Sequence, residues 1–293
     1  MHVFLTGATG WVGATVAAEL LAAGHHMTGL ARNTDKAQAL LAAGGQVIYG
    51  TLDDRQILFD AAMHADAVIH TAFNHDFSRF ADNCAQDQRA IETLGEALKG
   101  SHRPLLVTSG LARLVQGRLA NETDKPASGP EYLRRSELAA QELVEKGIRA
   151  ASIRLAPTVH GVGDHGFVPN LIALAKKTGV AAWPGEGSNR WAAVHRLDAA
   201  KVYRRVLETG VTQPVYHAVA EEGIPMRDIA IAIGKMLGLP AESRSPEHFG
   251  WFAAFAAADM AASSAQTRDV LGWQPQQREL LADLADSAYY ANS

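Results

Sequence analysis

Eight residues near the start of the sequence, Thr6-Gly7-Ala8-Thr9-Gly10-Trp11-Val12-Gly13, constrain the fold more than any others. They follow a short apolar run, Val3-Phe4-Leu5, and open a helical pattern over residues 12–23. Strand, glycine turn and helix in that order form the turn that cradles a dinucleotide pyrophosphate. Gly7 lets the chain leave the strand sharply. Gly10 removes a Cβ where a phosphate must approach the backbone, and Gly13 lets the helix pack on the sheet. The first N–H groups of the helix, with Thr9, Trp11 and Val12 beside them, then face the phosphates. The helix dipole gains only ~0.3–1 kcal/mol per charge at an exposed end, so several aligned donors must act together.

Further apolar runs at residues 27–30, 47–49, 67–69 and 105–107 alternate with helical patterns at 37–43, 56–63 and 80–98. Such alternation implies right-handed βαβ crossovers and a parallel sheet covered on both faces, an α/β Rossmann-type doubly wound fold. Ligands of such sheets bind outside the carboxyl ends of the strands, so the loops after each strand are the place for function. The expected organisation is a dinucleotide-binding core over residues 1–159, followed by a mixed region over 160–293. About 191–215 would complete the core. About 160–190 and 215–265 would form a smaller, mostly helical substrate lobe.

Composition narrows the function classes. The 293 residues are 47% hydrophobic with a net charge of −4, and no basic stripe suggests a nucleic-acid partner. One cysteine, Cys84, excludes an internal disulfide framework. The first strand begins too early to leave room for a signal peptide, and no uncharged run reaches the ~20 residues a membrane span needs. A cytoplasmic protein is expected, monomeric or homodimeric, acting on a small molecule. The histidines form no metal-ligand pattern.

After the second strand, Ala31-Arg32-Asn33 lacks the acidic residue that holds a ribose 2′-hydroxyl in NAD-preferring proteins. A guanidinium in its place suits a 2′-phosphate, which favours NADP over NAD. After the fourth strand, His75 and Asp76 lie in a loop that should border the substrate. They read either as an acid–base pair or as a helix cap with a solvated neighbour.

The glycine spacing resembles the TGxxGxxG of extended and atypical short-chain dehydrogenase/reductases. Asp66-Ala67-Val68-Ile69-His70-Thr71-Ala72 is similar to that superfamily's D-x-V-x-H-x-A segment, and Leu271-Gly272-Trp273-Gln274-Pro275 to its L-G-W-x-P. The resemblance implies that Leu52 and Asp53 meet the adenine, although Asp53 would equally cap the next helix. Thr71, Ala72 and Phe73 would lie along the ribose, with Thr108 nearby. Pro157, Thr158 and Val159 would pass the nicotinamide, within a segment similar to R-x-x-x-V-Y-G where His160 replaces the tyrosine. Ser109 falls one residue before the usual serine. Trp191 to Ala200 resembles H-V-x-D-x-A, with Asp198 read as a helix cap. Phe167, Trp183, His75 and His160 are expected toward the substrate, and the aromatic content of the lobe points to an apolar or aromatic one.

The superfamily's Y-x-x-x-K pair is missing. On an expected helix over residues 131–141, Tyr132 is followed four residues later by Ser136, and aligning on Ser136 puts Leu133 and Glu137 at the tyrosine and lysine positions. Three accounts follow. Tyr132 acts as proton donor, with Ser109 as oxyanion partner and Arg134 or Arg135 supplying positive charge; another group such as His75 or His160 is the acid; or the chain binds the dinucleotide without turnover. The expectation is an NADP-dependent carbonyl reductase or alcohol dehydrogenase. The alternatives are a non-catalytic NADP(H) sensor and a nucleotide-sugar epimerase or dehydratase.

Overall fold

In a computed structural model of the chain, describing residues 1–291 apart from 113, 116, 127, 128, 130 and 131, strand and helix alternate from the first residues. β1 (His2–Thr6) leads into α1 (Trp11–Ala22). β2 (His26–Ala31), α2 (Thr34–Ala42), β3 (Gln46–Tyr49), α3 (Arg55–Met63), β4 (Ala67–His70), α4 (Phe80–Ala97), β5 (Leu105–Gly110), α5 (Ser136–Glu145) and β6 (Ala150–Leu155) follow. Next come β7 (Thr158–His160), α6 (Phe167–Thr178), β8 (Ala181–Pro184), β9 (Arg190–His195), α7 (Arg196–Thr209), β10 (Val215–Ala218), β11 (Glu221–Pro225), α8 (Met226–Leu237) and β12 (Ala241–Arg244). The short helices α9 (Ala253–Ala256), α10 (Ala265–Leu271) and α11 (Leu280–Leu284) end the chain.

The central sheet has seven strands in the order β3-β2-β1-β4-β5-β6-β10, and each neighbouring pair from β3 to β5 is parallel. This is the Rossmann-type α/β fold. The order reverses between β1 and β4, where Thr6 pairs with His70. The crevice of a doubly wound sheet opens outside the strand ends at that reversal.

The chain divides into two units. The first comprises Met1–Ser109, Pro126–Arg154 and Ala199–Tyr216, and the second Gly110–Lys125, Leu155–Asp198 and His217–Ser293. In the first, Phe4, Val68, Leu105 and Val107 pack against Leu58, Ile91, Leu94 and Leu143 of α3, α4 and α5. The second carries two small sheets beside its helices. β11-β9-β7 form one sheet and β12-β8 another. Its core sets Trp191, Phe249 and Phe252 against Val168, Ile172, Ile229 and Ile233. Because residues 191–194 are all buried, β9 lacks the alternation that marks a half-exposed strand. No helix among the described residues is long and apolar enough to cross a membrane.

Two of the three motif glycines have different physical duties. A Cβ on Gly13 would stand 2.1 Å from the Gly7 carbonyl oxygen and 2.6 Å from Thr71 Oγ1, whereas one on Gly10 would meet only Gly7 O, at 3.3 Å. Gly13→Ala is therefore expected to lower stability in urea unfolding by about 3 kcal/mol, the upper end of overpacking costs. Gly10→Ala should stay within about 1 kcal/mol, the cost of alanine at a helix N-cap.

Candidate functional site

The glycine turn is built against the segment that follows β4. Gly7 has φ 74°, and a Cβ there would lie 2.7 Å from both Ala72 N and Thr71 Oγ1. Thr6 O accepts from the Thr71 N–H at 3.2 Å and the Thr71 hydroxyl at 2.8 Å. Gly10 is the exposed N-cap of α1, which has no side-chain cap and no acidic residue in its first turn. An open, uncapped helix start with no side chain in front of it fits a pyrophosphate. Thr9, Trp11 and Val12 are half-buried on the same turn.

At the end of β2, Arg32 is exposed and makes no ion pair among the described residues. Its neighbour Asn33 caps α2, accepting the Lys36 N–H at 3.0 Å. After β3, Asp53 is exposed and receives Gln86 Nε2 at 2.6 Å, with Arg89 at 3.7 Å. It does not cap α3. That position belongs to Asp54, which accepts the Thr51 N–H at 2.7 Å and its hydroxyl at 2.8 Å. These bonds hold the Asp54 carboxyl below its usual range. Leu52 packs on the core of the first unit.

The ends of β4 and β5 carry a hydrogen-bonded chain. Thr6 Oγ1 meets His70 Nδ1 at 2.7 Å, and His70 Nε2 meets Asp87 Oδ1 at 3.0 Å. Ser136 donates to Asp87 Oδ2 at 2.6 Å, and Arg134 Nε donates to Ser136 Oγ at 3.1 Å. The Arg134 guanidinium carbon lies 4.2 Å from the Phe73 ring centroid. Thr108 and Ser109 point to opposite faces of β5. The Thr108 hydroxyl pairs with Tyr203 OH at 2.8 Å, and the Ser109 hydroxyl donates to Glu137 Oε2 at 3.2 Å. Glu137 is also gripped by Arg154, whose Nε reaches Oε2 at 2.8 Å and whose Nη2 reaches Oε1 at 2.6 Å. The Arg154 side chain is 0% exposed and that of Glu137 7%. Sequence pattern alone did not reveal this pair. Its signal was an arginine inside the apolar run Ala150–Leu155, since a buried guanidinium requires a partner.

Tyr132 is not on a helix. It precedes α5, its N–H bonded to Gly129 O at 3.1 Å, so four-residue helical spacing does not relate it to Ser136. Gly129 takes φ 124°, which a helix cannot include, and the anchoring of Ser136 on Asp87 starts the helix there. Residue 131, where the helical pattern was expected to begin, lies outside the described residues. His75 is exposed and sits 5.1 Å from the Phe73 ring. Asp76 spends its carboxylate on the Ser78 hydroxyl and on the Ser78 N–H at 3.0 Å, the helix-cap alternative, and these bonds, the hydroxyl's first, lower its pKa.

In the second unit, Pro157 and Val159 are half-buried and Thr158 is buried. His160 is 0% exposed, its Nδ1 2.7 Å from Asp283 Oδ2, so its ring presents no surface to a substrate. His195 lies edge-on to it at 5.4 Å, and burial followed by the charge on His160 pushes the His195 pKa down. Phe167 packs on Phe255 with ring centroids 4.1 Å apart and the rings tilted by 36°, and Trp183 covers Gly187. Asp198 lies in the first turn of α7. From there it accepts the N–H groups of Gln276 and Gln277, each at 2.8 Å, just after the Leu271-Gly272-Trp273-Gln274-Pro275 motif.

Residues 7–161, which hold the glycine turn, match the family model described as NAD(P)H-binding. The chain belongs to this NAD(P)H-binding family. A Schizosaccharomyces pombe protein is 45% identical over 99% of this chain and its own full length. A 4-hydroxy-2-methyl-3-oxo-4-farnesyl-3,4-dihydroquinoline-1-oxide ketoreductase from Stigmatella aurantiaca is 24% identical over 83% of this chain and 75% of its own. The dTDP-glucose 4,6-dehydratase of Streptomyces venezuelae, solved with NAD, superposes with a TM-score of 0.78 at 18% identity, covering 100% of this chain and 98% of that one.

The Glu137–Arg154 pair is the site's most exacting requirement. Glu137→Gln is expected to cost about 3–5 kcal/mol in denaturant unfolding, because it leaves the Arg154 charge buried without its counter-ion.

Proposed function

We propose that the chain is an NADP(H)-dependent oxidoreductase of the carbonyl reductase or alcohol dehydrogenase kind, acting on a small apolar or aromatic substrate as a monomer or homodimer. The observation that carries this is the exposed Arg32 at the end of β2, with no carboxylate at residues 31–33. The bound dinucleotide would supply the hydride. Gly7, Gly10 and Gly13 would seat the pyrophosphate, Arg32 the 2′-phosphate, and Leu52 and Asp53 the adenine. Thr71, Ala72, Phe73 and Thr108 would follow its path along the strand ends. Tyr132, half-buried ahead of α5, would donate the proton, and Ser109 would steady the developing oxyanion by turning its hydroxyl proton from Glu137 to that oxygen. Similarity to a ketoreductase agrees with carbonyl chemistry.

One observation favours a second reading, a dinucleotide sensor without turnover. Glu137 stands where aligning on Ser136 places the lysine, and it is neutralised by Arg154 rather than open to a ligand. The same feature counts against a sugar epimerase or dehydratase.

Titration with NADPH and NADH, read by fluorescence, tests the cofactor assignment. Arg32→Ala should weaken NADPH binding by about 10-fold or more, as loss of a charge-assisted contact does, and leave NADH unchanged. Equal loss for both would overturn the 2′-phosphate role. Against a carbonyl panel, Tyr132→Phe should lower turnover about 100-fold or more at unchanged NADPH affinity, the range of general acid catalysis. Wild-type turnover that survives this change would remove Tyr132 as donor. Stoichiometric binding with no NADPH consumption would select the sensor.

A further inference from the structure

We propose that Arg134 is the cation that orders the nicotinamide-ribose half of the bound dinucleotide, an inference that rests on the dinucleotide-binding reading above. In a doubly wound sheet each half of the dinucleotide lies over one half of the strands, and the two meet at the switch between β1 and β4. The glycine turn and Arg32 mark the adenosine half. The second half lies over the ends of β4 and β5, and Arg134 stands at both. Its guanidinium covers Phe73, which follows β4, and its Nη2 reaches Thr108 O of β5 at 3.5 Å.

The other cations of this region are committed elsewhere. Arg135 turns away to Glu142 at 2.9 Å, Arg79 pairs with Asp82 at 3.4 Å, and Arg154 is shut inside with Glu137. Arg134 is half-buried and forms no ion pair among the described residues. It is nevertheless held in place. Ser136 bridges it to Asp87, which is 1% exposed and is fixed in turn by His70 and, through His70, by Thr6. A guanidinium held by Nε and by stacking keeps Nη1 available as a donor to sugar hydroxyls or to the phosphate beside them. Preorganisation of this kind reduces the ordering cost of binding.

Two ligands separate the halves: NADPH, and adenosine 2′,5′-bisphosphate, which lacks the nicotinamide ribose. Calorimetric titration of the full-length protein, wild type and Arg134→Gln, should show about tenfold weaker NADPH binding in the variant, equivalent to ~1.4 kcal/mol, with adenosine 2′,5′-bisphosphate unchanged. Unchanged binding of the adenosine fragment also shows that the variant is folded. Arg134→Lys, which keeps the charge without the plane, should fall between the two. Equal weakening of both ligands, or no change in NADPH binding, would overturn the assignment, as would a lysine variant no better than glutamine. Wild-type protein that binds neither ligand would overturn the dinucleotide reading itself, and this inference with it.

Discussion

The first unit depends on a backbone contact that tolerates no side chain. The turn after β1 and the segment after β4 meet so closely that Gly7 lies against Ala72 N and Thr71 Oγ1, while Gly13 of α1 lies against Gly7 itself. Thr6 O fixes the approach by accepting from Thr71 twice. Because β1 and β4 are the strands at which the sheet order reverses, this contact sets where the crevice opens and how α1 points into it. Three strand ends are then placed by the regular spacing of a parallel sheet, which brings Arg32, Asp53 and Phe73 to the same edge.

Much of this was legible in sequence because it is local. The apolar runs predicted the first five strands to within a few residues, since a parallel sheet buried on both faces writes continuous apolar segments. The glycine turn was legible because backbone sterics leave no other residue type there. What escaped was set by tertiary partners. Tyr132 sits in a segment that helical spacing seemed to include, but α5 begins only where Ser136 finds Asp87, a residue 49 positions away. Asp198 looks like a cap from its neighbours, and nothing local shows that its carboxylate also serves Gln276 and Gln277, nearly eighty residues on. The aromatic residues of the second unit, expected toward a substrate, include Phe249 and Phe252 of its core, and its pairing into two small sheets depends on strands too short to show a period.

Charge is distributed unevenly across the site. At the pyrophosphate end the helix start is left bare, so an incoming anion finds unopposed dipoles. At the other end ionisable side chains are buried and satisfied by one another, through Thr6, His70, Asp87, Ser136 and Arg134 on one side and Ser109, Glu137 and Arg154 on the other. Networks of this kind add little net stability, but each member is costly to remove alone. They trade adaptability for a fixed geometry at the strand ends.

The Glu137–Arg154 pair also bears on how such a site can change over generations. Lysine at position 137 would put two cations within hydrogen-bond reach of each other, away from water, where repulsion is weakly screened. An apolar residue at 154, introduced first, would strand the carboxylate instead. Neither single step is neutral, so the two positions behave as a ratchet. A chain with glutamate and arginine at these positions can reach lysine at 137 only by exchanging both residues together, or by passing through a poorly folded intermediate that selection would discard.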